Sequence, residues 1–110
     1  PYVGAQLAGA LAASVLLRLL FAHATLGTTL PAGPWWQSLI LETVLTFLLM
    51  LTILCVATGS KEQGVMAGAA IGAVVGLEAL FAGPICGASM NPARSLAPAL
   101  VSGNLRHVWI

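Results

Sequence analysis

Three long runs of apolar residues dominate the chain, and polar residues are concentrated in the shorter stretches between them. A membrane-spanning helix needs about 20 largely apolar residues. The three runs therefore predict spans over residues 2–22, 36–57 and 64–81. Residues 23–35 contain two prolines and two glycines and predict an irregular loop, whereas residues 58–63 predict a polar turn that makes the second and third helices antiparallel neighbours.

The third run carries glycines at a spacing of four residues. They are Gly64, Gly68, Gly72 and Gly76. Residues four apart lie on one face of a helix, and a face without side chains lets another backbone approach closely inside a membrane. We therefore predict that this face packs against a neighbouring helix.

The apolar pattern is interrupted over residues 82–91. This stretch contains two glycines and Pro84. A proline inside a helix removes a backbone donor and clashes with the preceding turn. The sequence therefore predicts a loop here.

A short helix is predicted directly after this loop, over residues 92–102. Asn91 is a favoured N-cap, Pro92 suits the first helical position, and Gly103 suits a left-handed C-cap. At about 1.5 Å per residue such a helix is roughly 16 Å long, about half the hydrocarbon thickness. That length predicts a re-entrant half-helix, and residues 105–110 predict the start of a further span.

Composition places the chain in a membrane. Of its 110 residues, 59% are hydrophobic and 6% are charged, whereas about a quarter of the residues of a soluble domain are charged. The net charge of +1 gives no basis for nucleic-acid binding. We therefore expect an all-α membrane protein forming a single membrane domain over residues 1–110. Because the chain begins without methionine and stops within a new apolar run, we expect a fragment of a longer protein.

The broken segment before the half-helix is the candidate functional site. Irregular backbone at membrane depth persists only where it is buried in protein or faces a water-filled cavity, so we expect the carbonyls of residues 83–90 to line a cavity. The side-chain oxygen of Asn91 can cap the helix while its NH₂ group donates toward the cavity. The helix dipole adds about half a positive charge there.

Arg94 lies one turn into the same helix. A charged side chain is costly in a membrane and marks a functional site by default. We expect its guanidinium to narrow the cavity and to bond loop carbonyls. The alternative is an arginine that extends to the lipid headgroups.

The residues GASMNPARSLAPAL at positions 87–100 resemble the second Asn-Pro-Ala loop of the aquaporins, the major intrinsic proteins. The resemblance covers essentially the whole chain and is strongest to bacterial members and the nodulin-like plant branch. It implies an aquaporin-like helical bundle with two half-helices that meet at mid-membrane, in a homotetramer with one pore per protomer. Of that bundle, this chain would supply about three spanning helices, one half-helix and the start of another helix.

The resemblance also implies roles for particular residues. Asn91, Pro92 and Ala93 would form half of the central pore constriction, and Glu42 would accept hydrogen bonds from the amides of the re-entrant loop. The selectivity filter would include Arg94, Ala88 and Ala79.

Taken together, these features predict a passive channel in the lipid bilayer rather than an enzyme. Ala79 stands where water-selective members usually carry histidine, which implies a wider filter for water, glycerol or undissociated metalloid acids. No cofactor motif and no metal-ligand spacing occur. The alternative is a secondary transporter with a broken-helix substrate site. The resemblance favours the plasma membrane of a bacterium.

Overall fold

The computed structural model describes residues 1–58 and 61–110, of which residues 61–65 are described by their backbone alone. The described residues form helices and loops without a β-strand. The helices are α1 (Tyr2–Leu20), α2 (Trp35–Ala57), α3 (Lys61–Cys86) and α4 (Pro92–Ser102). Three of these helices are long and apolar enough to cross a membrane, over Tyr2–Leu20, Trp35–Ala57 and Met66–Cys86. The predicted all-α membrane fold is confirmed.

The helices associate in two pairs. α2 packs along α3, and α1 packs against α4. The buried cluster between α2, α3 and the loop after α3 consists of Leu45, Ala82, Cys86 and Ala88. Most of these residues are small, and larger apolar side chains remain on the outside, as with Phe47, which is 63% exposed.

The predicted end of the third span at residue 81 is wrong. α3 continues through Pro84 and ends at Cys86. Pro84 removes only its own backbone donor, and the helix ends so soon afterwards that few further bonds depend on it. The amide of Gly87 then donates to the carbonyl of Gly83 at 3.0 Å and closes the last turn.

The prediction that a further span starts at residues 105–110 stays a prediction. The segment forms turns, with the amide of Val108 donating to Leu105 and that of Ile110 to His107. The ring centroid of Trp109 in this segment lies 5.5 Å from that of Trp35.

The glycine face of α3 has no packing partner within the described residues. A methyl group built on Gly68, Gly72 or Gly76 would meet nothing within 4 Å. The surroundings of Gly64 are not described, and residues 59–60 of the predicted turn lie outside the described residues. The close packing of this face therefore stays a prediction.

One long-range hydrogen bond ties the two helices of the α1–α4 pair together. The guanidinium of Arg18 donates to the carbonyl of Val101 at 2.5 Å. Carbonyls in the last turn of a helix lack intrahelical donors and carry the negative end of the dipole. Arg18 thus supplies both a donor and a positive charge to the C-terminal end of α4.

Replacing Arg18 with methionine is expected to lower the free energy of unfolding by about 1 kcal/mol, because one hydrogen bond and one dipole contact are lost. Thermal unfolding of the full-length protein in detergent measures the effect. The matched control is Arg18→Lys, which keeps the charge and a donor and should lose less. Equal losses in the two variants would contradict the prediction.

Candidate functional site

The loop from α3 to α4 is short and adopts an uncommon backbone conformation. Its φ angles are 90° at Gly87, 44° at Ala88 and 50° at Met90. A left-handed conformation costs a non-glycine residue about 1–2 kcal/mol. Contacts around the loop must offset this cost at Ala88 and Met90.

Glu42 of α2 provides the main contact to this loop. Its Oε1 accepts from the amide of Ser89 at 2.8 Å, and its Oε2 accepts from Ser89 at 3.1 Å and from Met90 at 3.0 Å. Only 8% of Glu42 is exposed. A buried carboxylate that accepts several amide bonds orders the backbone that donates them. This is the geometry that the family resemblance implied for Glu42.

A chain of hydroxyl groups fixes the start of α4. The Ser89 hydroxyl donates to the carbonyl of Asn91 at 2.8 Å, and the Ser95 hydroxyl donates to Ser89 at 2.5 Å. Thr29, from the loop before α2, lies 3.0 Å from the Ser95 oxygen. Sequence reasoning missed Thr29 and Ser89. The only available signal was their polarity next to an apolar segment, which does not identify a partner.

Gly87 is required by both its conformation and its surroundings. Its φ of 90° is in the left-handed region, and an added Cβ would lie 2.9 Å from the Cα of Thr29. Backbone atoms cannot move aside as a flexible side chain can. The loop therefore touches the segment before α2 at a point where only glycine fits.

Replacing Gly87 with alanine is expected to destabilise the protein by about 2–4 kcal/mol, the sum of left-handed strain and steric overlap. Gly83→Ala is the matched control. Gly83 lies in the last turns of α3, and a Cβ there would meet nothing within 4 Å. Unfolding of both full-length variants tests the difference. The prediction fails if both variants unfold at the same midpoint.

Asn91 caps α4. Its side-chain oxygen accepts from the amide of Ala93 at 2.9 Å and from that of Arg94 at 3.4 Å, and Gly103 ends the helix with a φ of 76°. The side-chain amide nitrogen of Asn91 donates to no group within the part of the chain described here. It is therefore available as a donor at the positive end of the helix dipole.

Among the grooves at this capped end are one beside α1 and one beside α2. The α1 groove has a volume of about 650 Å³, and the α2 groove about 590 Å³. Residues lining the α1 groove include Tyr2, Gln6, Ser14, Asn91, Ala93, Arg94 and Pro98. Residues lining the α2 groove include Glu42, Thr43, Thr46, Phe47, Asn91, Pro92 and Ser95. Asn91 is thus in contact with both grooves.

The structure brings together only part of the predicted site. Asn91, Ala93 and Arg94 share the α1 groove, whereas Ala79 and Ala88 line neither groove. Ala88 is buried, at 4% exposure, and Ala79 is exposed on α3. The grouping of Ala79 and Ala88 with Arg94 in one filter stays a prediction.

The predicted row of free loop carbonyls is shorter than expected. Because α3 runs to Cys86, the carbonyl of Gly83 accepts from Gly87, and that of Ile85 accepts from Ala32 at 2.9 Å. The guanidinium of Arg94 donates to no loop carbonyl in the described part of the chain. The Arg94 guanidinium and the Asn91 side-chain amide therefore both lie at the α1 groove. Neither group has a protein acceptor among the described residues.

Glu78 is a second buried carboxylate in α3. It is 3% exposed, and both of its oxygens lack a hydrogen-bond donor within the described residues. It precedes Ala82 and Cys86 by one and two helical turns, so it shares the face that packs against α2.

The fold and the site together define an integral membrane protein with a broken-helix site, in which the capped half-helix α4 packs on the apolar helix α1 and its start lines two grooves. Comparison with known proteins gives the family. The Major intrinsic protein family matches residues 1–110, and the chain belongs to it.

Its relatives include plant aquaporins. The chain is 52% identical to Aquaporin NIP1-4 of Oryza sativa subsp. japonica over 99% of its own length and 41% of the relative. It is 50% identical to Aquaporin NIP1-1 of Zea mays and 49% identical to Putative aquaporin NIP4-1 of Arabidopsis thaliana, each over 99% of the chain and 39% of the relative. The chain thus spans about two fifths of the length of these relatives.

Proposed function

We propose that the full-length protein is a passive channel for water and small uncharged solutes. One observation carries the proposal: the Asn91 amide and the Arg94 guanidinium line the same groove at the positive end of a half-helix. Both groups are donors without protein acceptors among the described residues. A polar solute that passes them recovers hydrogen bonds that it loses on leaving bulk water.

Charge selectivity follows from the same arrangement. The N-terminus of α4 carries about half a positive charge, and Arg94 adds a full one. Both oppose cations and hydronium, as positive helix ends and arginines do in other pores. Conduction needs no chemical step, so we assign no catalytic residue and no cofactor.

The solute class that we propose is small, polar and neutral. Ala79 and Ala88 are small residues that would leave a filter wide, and Arg94 would supply its donor. Water, glycerol and undissociated metalloid acids fit this description. Pro92 and Ala93 complete the half-constriction with Asn91.

A secondary transporter is the alternative, and the carboxylates argue against it. Such a carrier requires acidic groups at a substrate or ion site. Glu42 uses both oxygens to hold the loop amides, and Glu78 lines neither the α1 nor the α2 groove. Glu78 is therefore not available to a solute in these grooves, and Glu42, which lines the α2 groove, is already engaged by the loop amides.

We further propose that the full-length protein forms a homotetramer in the lipid bilayer, as the family resemblance implies. Large exposed apolar side chains, such as Phe47 and Leu80 at 63% and 78%, suit contact with lipid or with neighbouring subunits. The plasma membrane of a bacterium remains our proposal for location, although the relatives reported above are from plants.

Liposome swelling tests the channel. Vesicles that contain the full-length protein should shrink faster than empty vesicles under a sucrose gradient, and should re-swell faster when glycerol is the solute. Rates equal to those of empty vesicles would refute conduction. Faster uptake only in the presence of a proton or sodium gradient would favour the transporter.

A further inference from the structure

A small cavity lies behind the loop and shares Glu42, Ser89 and Ser95 with the α2 groove. The cavity volume that the centre of a water molecule can occupy is about 10 Å³. This is close to the roughly 10–15 Å³ that one ordered water requires. Its polar lining residues are Thr29, Ser38, Glu42, Ser89, Ser95 and His107. They come from α2, the loop before it, the loop between α3 and α4, α4 itself and the C-terminal turns.

Two buried polar atoms on this cavity lack hydrogen-bond partners within the described residues. They are the hydroxyl oxygen of Ser38 and the Nδ1 atom of His107, and Ser38 is only 1% exposed. Buried polar groups are almost always paired with protein or with ordered water. An orphaned hydroxyl and an orphaned ring nitrogen on one water-sized cavity point to a shared ligand.

The neighbouring hydroxyl groups cannot supply the missing donor. Each hydroxyl carries one hydrogen. The Ser89 hydrogen goes to the Asn91 carbonyl and the Ser95 hydrogen goes to Ser89. The Thr29 hydroxyl must therefore donate to Ser95 across their 3.0 Å contact. These oxygens can only accept further bonds.

We propose that this cavity binds one structural water molecule that bridges Ser38 and His107. The water accepts from the Ser38 hydroxyl and donates one hydrogen to His107 Nδ1, which makes Nδ1 the unprotonated ring nitrogen. Its second hydrogen goes to a free lone pair on the oxygen of Thr29 or Ser95. This arrangement satisfies both orphaned atoms and uses every hydrogen of the water once.

The bound water links α2 and the C-terminal turns to the hydroxyl chain that fixes Asn91. It is a positioning element and does not lie on the solute path, because Ser38 and His107 line neither groove. The proposal therefore stands apart from the channel function and holds for a non-conducting protein as well.

A structure of the full-length protein at a resolution that shows ordered water is the direct test. We expect one density peak about 2.7–3.2 Å from both Ser38 Oγ and His107 Nδ1. The proposal is overturned if Ser38 bonds His107 directly, if Ser38 bonds a carbonyl of its own helix, or if another side chain fills the cavity.

A double-mutant cycle on the full-length protein gives a second, independent test. Ser38→Ala and His107→Phe should each lower the unfolding midpoint by about 2–4 °C, the shift expected for about 1 kcal/mol in a protein of this size class. The double variant should fall no further than the worse single variant, because one water is lost in each case. Additive losses would overturn the proposal.

Two controls isolate the water. Ser14 is equally buried, at 4% exposure, but its hydroxyl bonds the carbonyl of Ala10 in its own helix, so Ser14→Ala and His107→Phe should be additive. His107→Asn keeps an acceptor near the position of Nδ1 and should recover part of the midpoint. Failure of His107→Asn to exceed His107→Phe would also count against the bridge.

Discussion

Replacing Glu42 with alanine is expected to destabilise the full-length protein by about 3–5 kcal/mol and to abolish conduction. The substitution removes the acceptor for the amides of Ser89 and Met90, and buried donors that lose a charged partner cost this much. It also releases the left-handed conformation of Ala88 and Met90. Denaturation in detergent and liposome swelling measure the two effects.

Glu42→Gln and Thr52→Val are the matched controls for this prediction. Glutamine keeps one acceptor oxygen and should lose roughly half as much stability. Thr52 lies in the same helix, and its hydroxyl donates to the carbonyl of Leu48 at 2.9 Å, so its loss should have little effect. A Glu42→Ala protein as stable as the Thr52→Val protein would show that the loop does not depend on this carboxylate.

The features that the sequence predicts well are those with a local cause. The Asn91 cap, Pro92 at the first helical position and the left-handed Gly103 depend on residues next to one another, and α4 is observed over Pro92–Ser102. The apolar spans depend only on length and composition. Such signals are complete within a short window of sequence.

The extent of α3 shows why a local rule can fail. The rule against proline in a helix predicts a break, yet the cost of Pro84 depends on how many bonds follow it. Near the end of a helix that number is small, and α3 continues to Cys86. The shorter loop then offers fewer free carbonyls to the groove.

Contacts between distant residues were the part that could not be predicted from the chain alone. Arg18 meets Val101 because α1 packs on α4, and Ser38 meets His107 at one cavity. Neither pair shares a motif or a spacing. The partner of Glu42 was an exception, since the family resemblance supplied it.

The selectivity of the proposed pore should depend most on Arg94. Replacing it with alanine is expected to raise the permeability to cations, including protons, by about 100-fold, while conduction of neutral solutes continues. A unit charge about 5 Å from the path contributes about 3 kcal/mol at an effective dielectric constant of about 20, and each 1.4 kcal/mol is about tenfold. Proton leak into vesicles that carry a pH-sensitive dye, together with glycerol swelling, measures both quantities.

Arg94→Lys is the matched control because it keeps the charge and loses the fixed fork of donors. The lysine variant should therefore still exclude protons, whereas its glycerol rate should change because the donors are differently placed. This pattern separates the electrostatic contribution of Arg94 from its hydrogen bonds. If the proton leak is as large in Arg94→Lys as in Arg94→Ala, protons are excluded by the placement of the guanidinium donors and not by the charge at this position. No leak in either variant would leave the N-terminus of α4, capped by Asn91, as the barrier to cations.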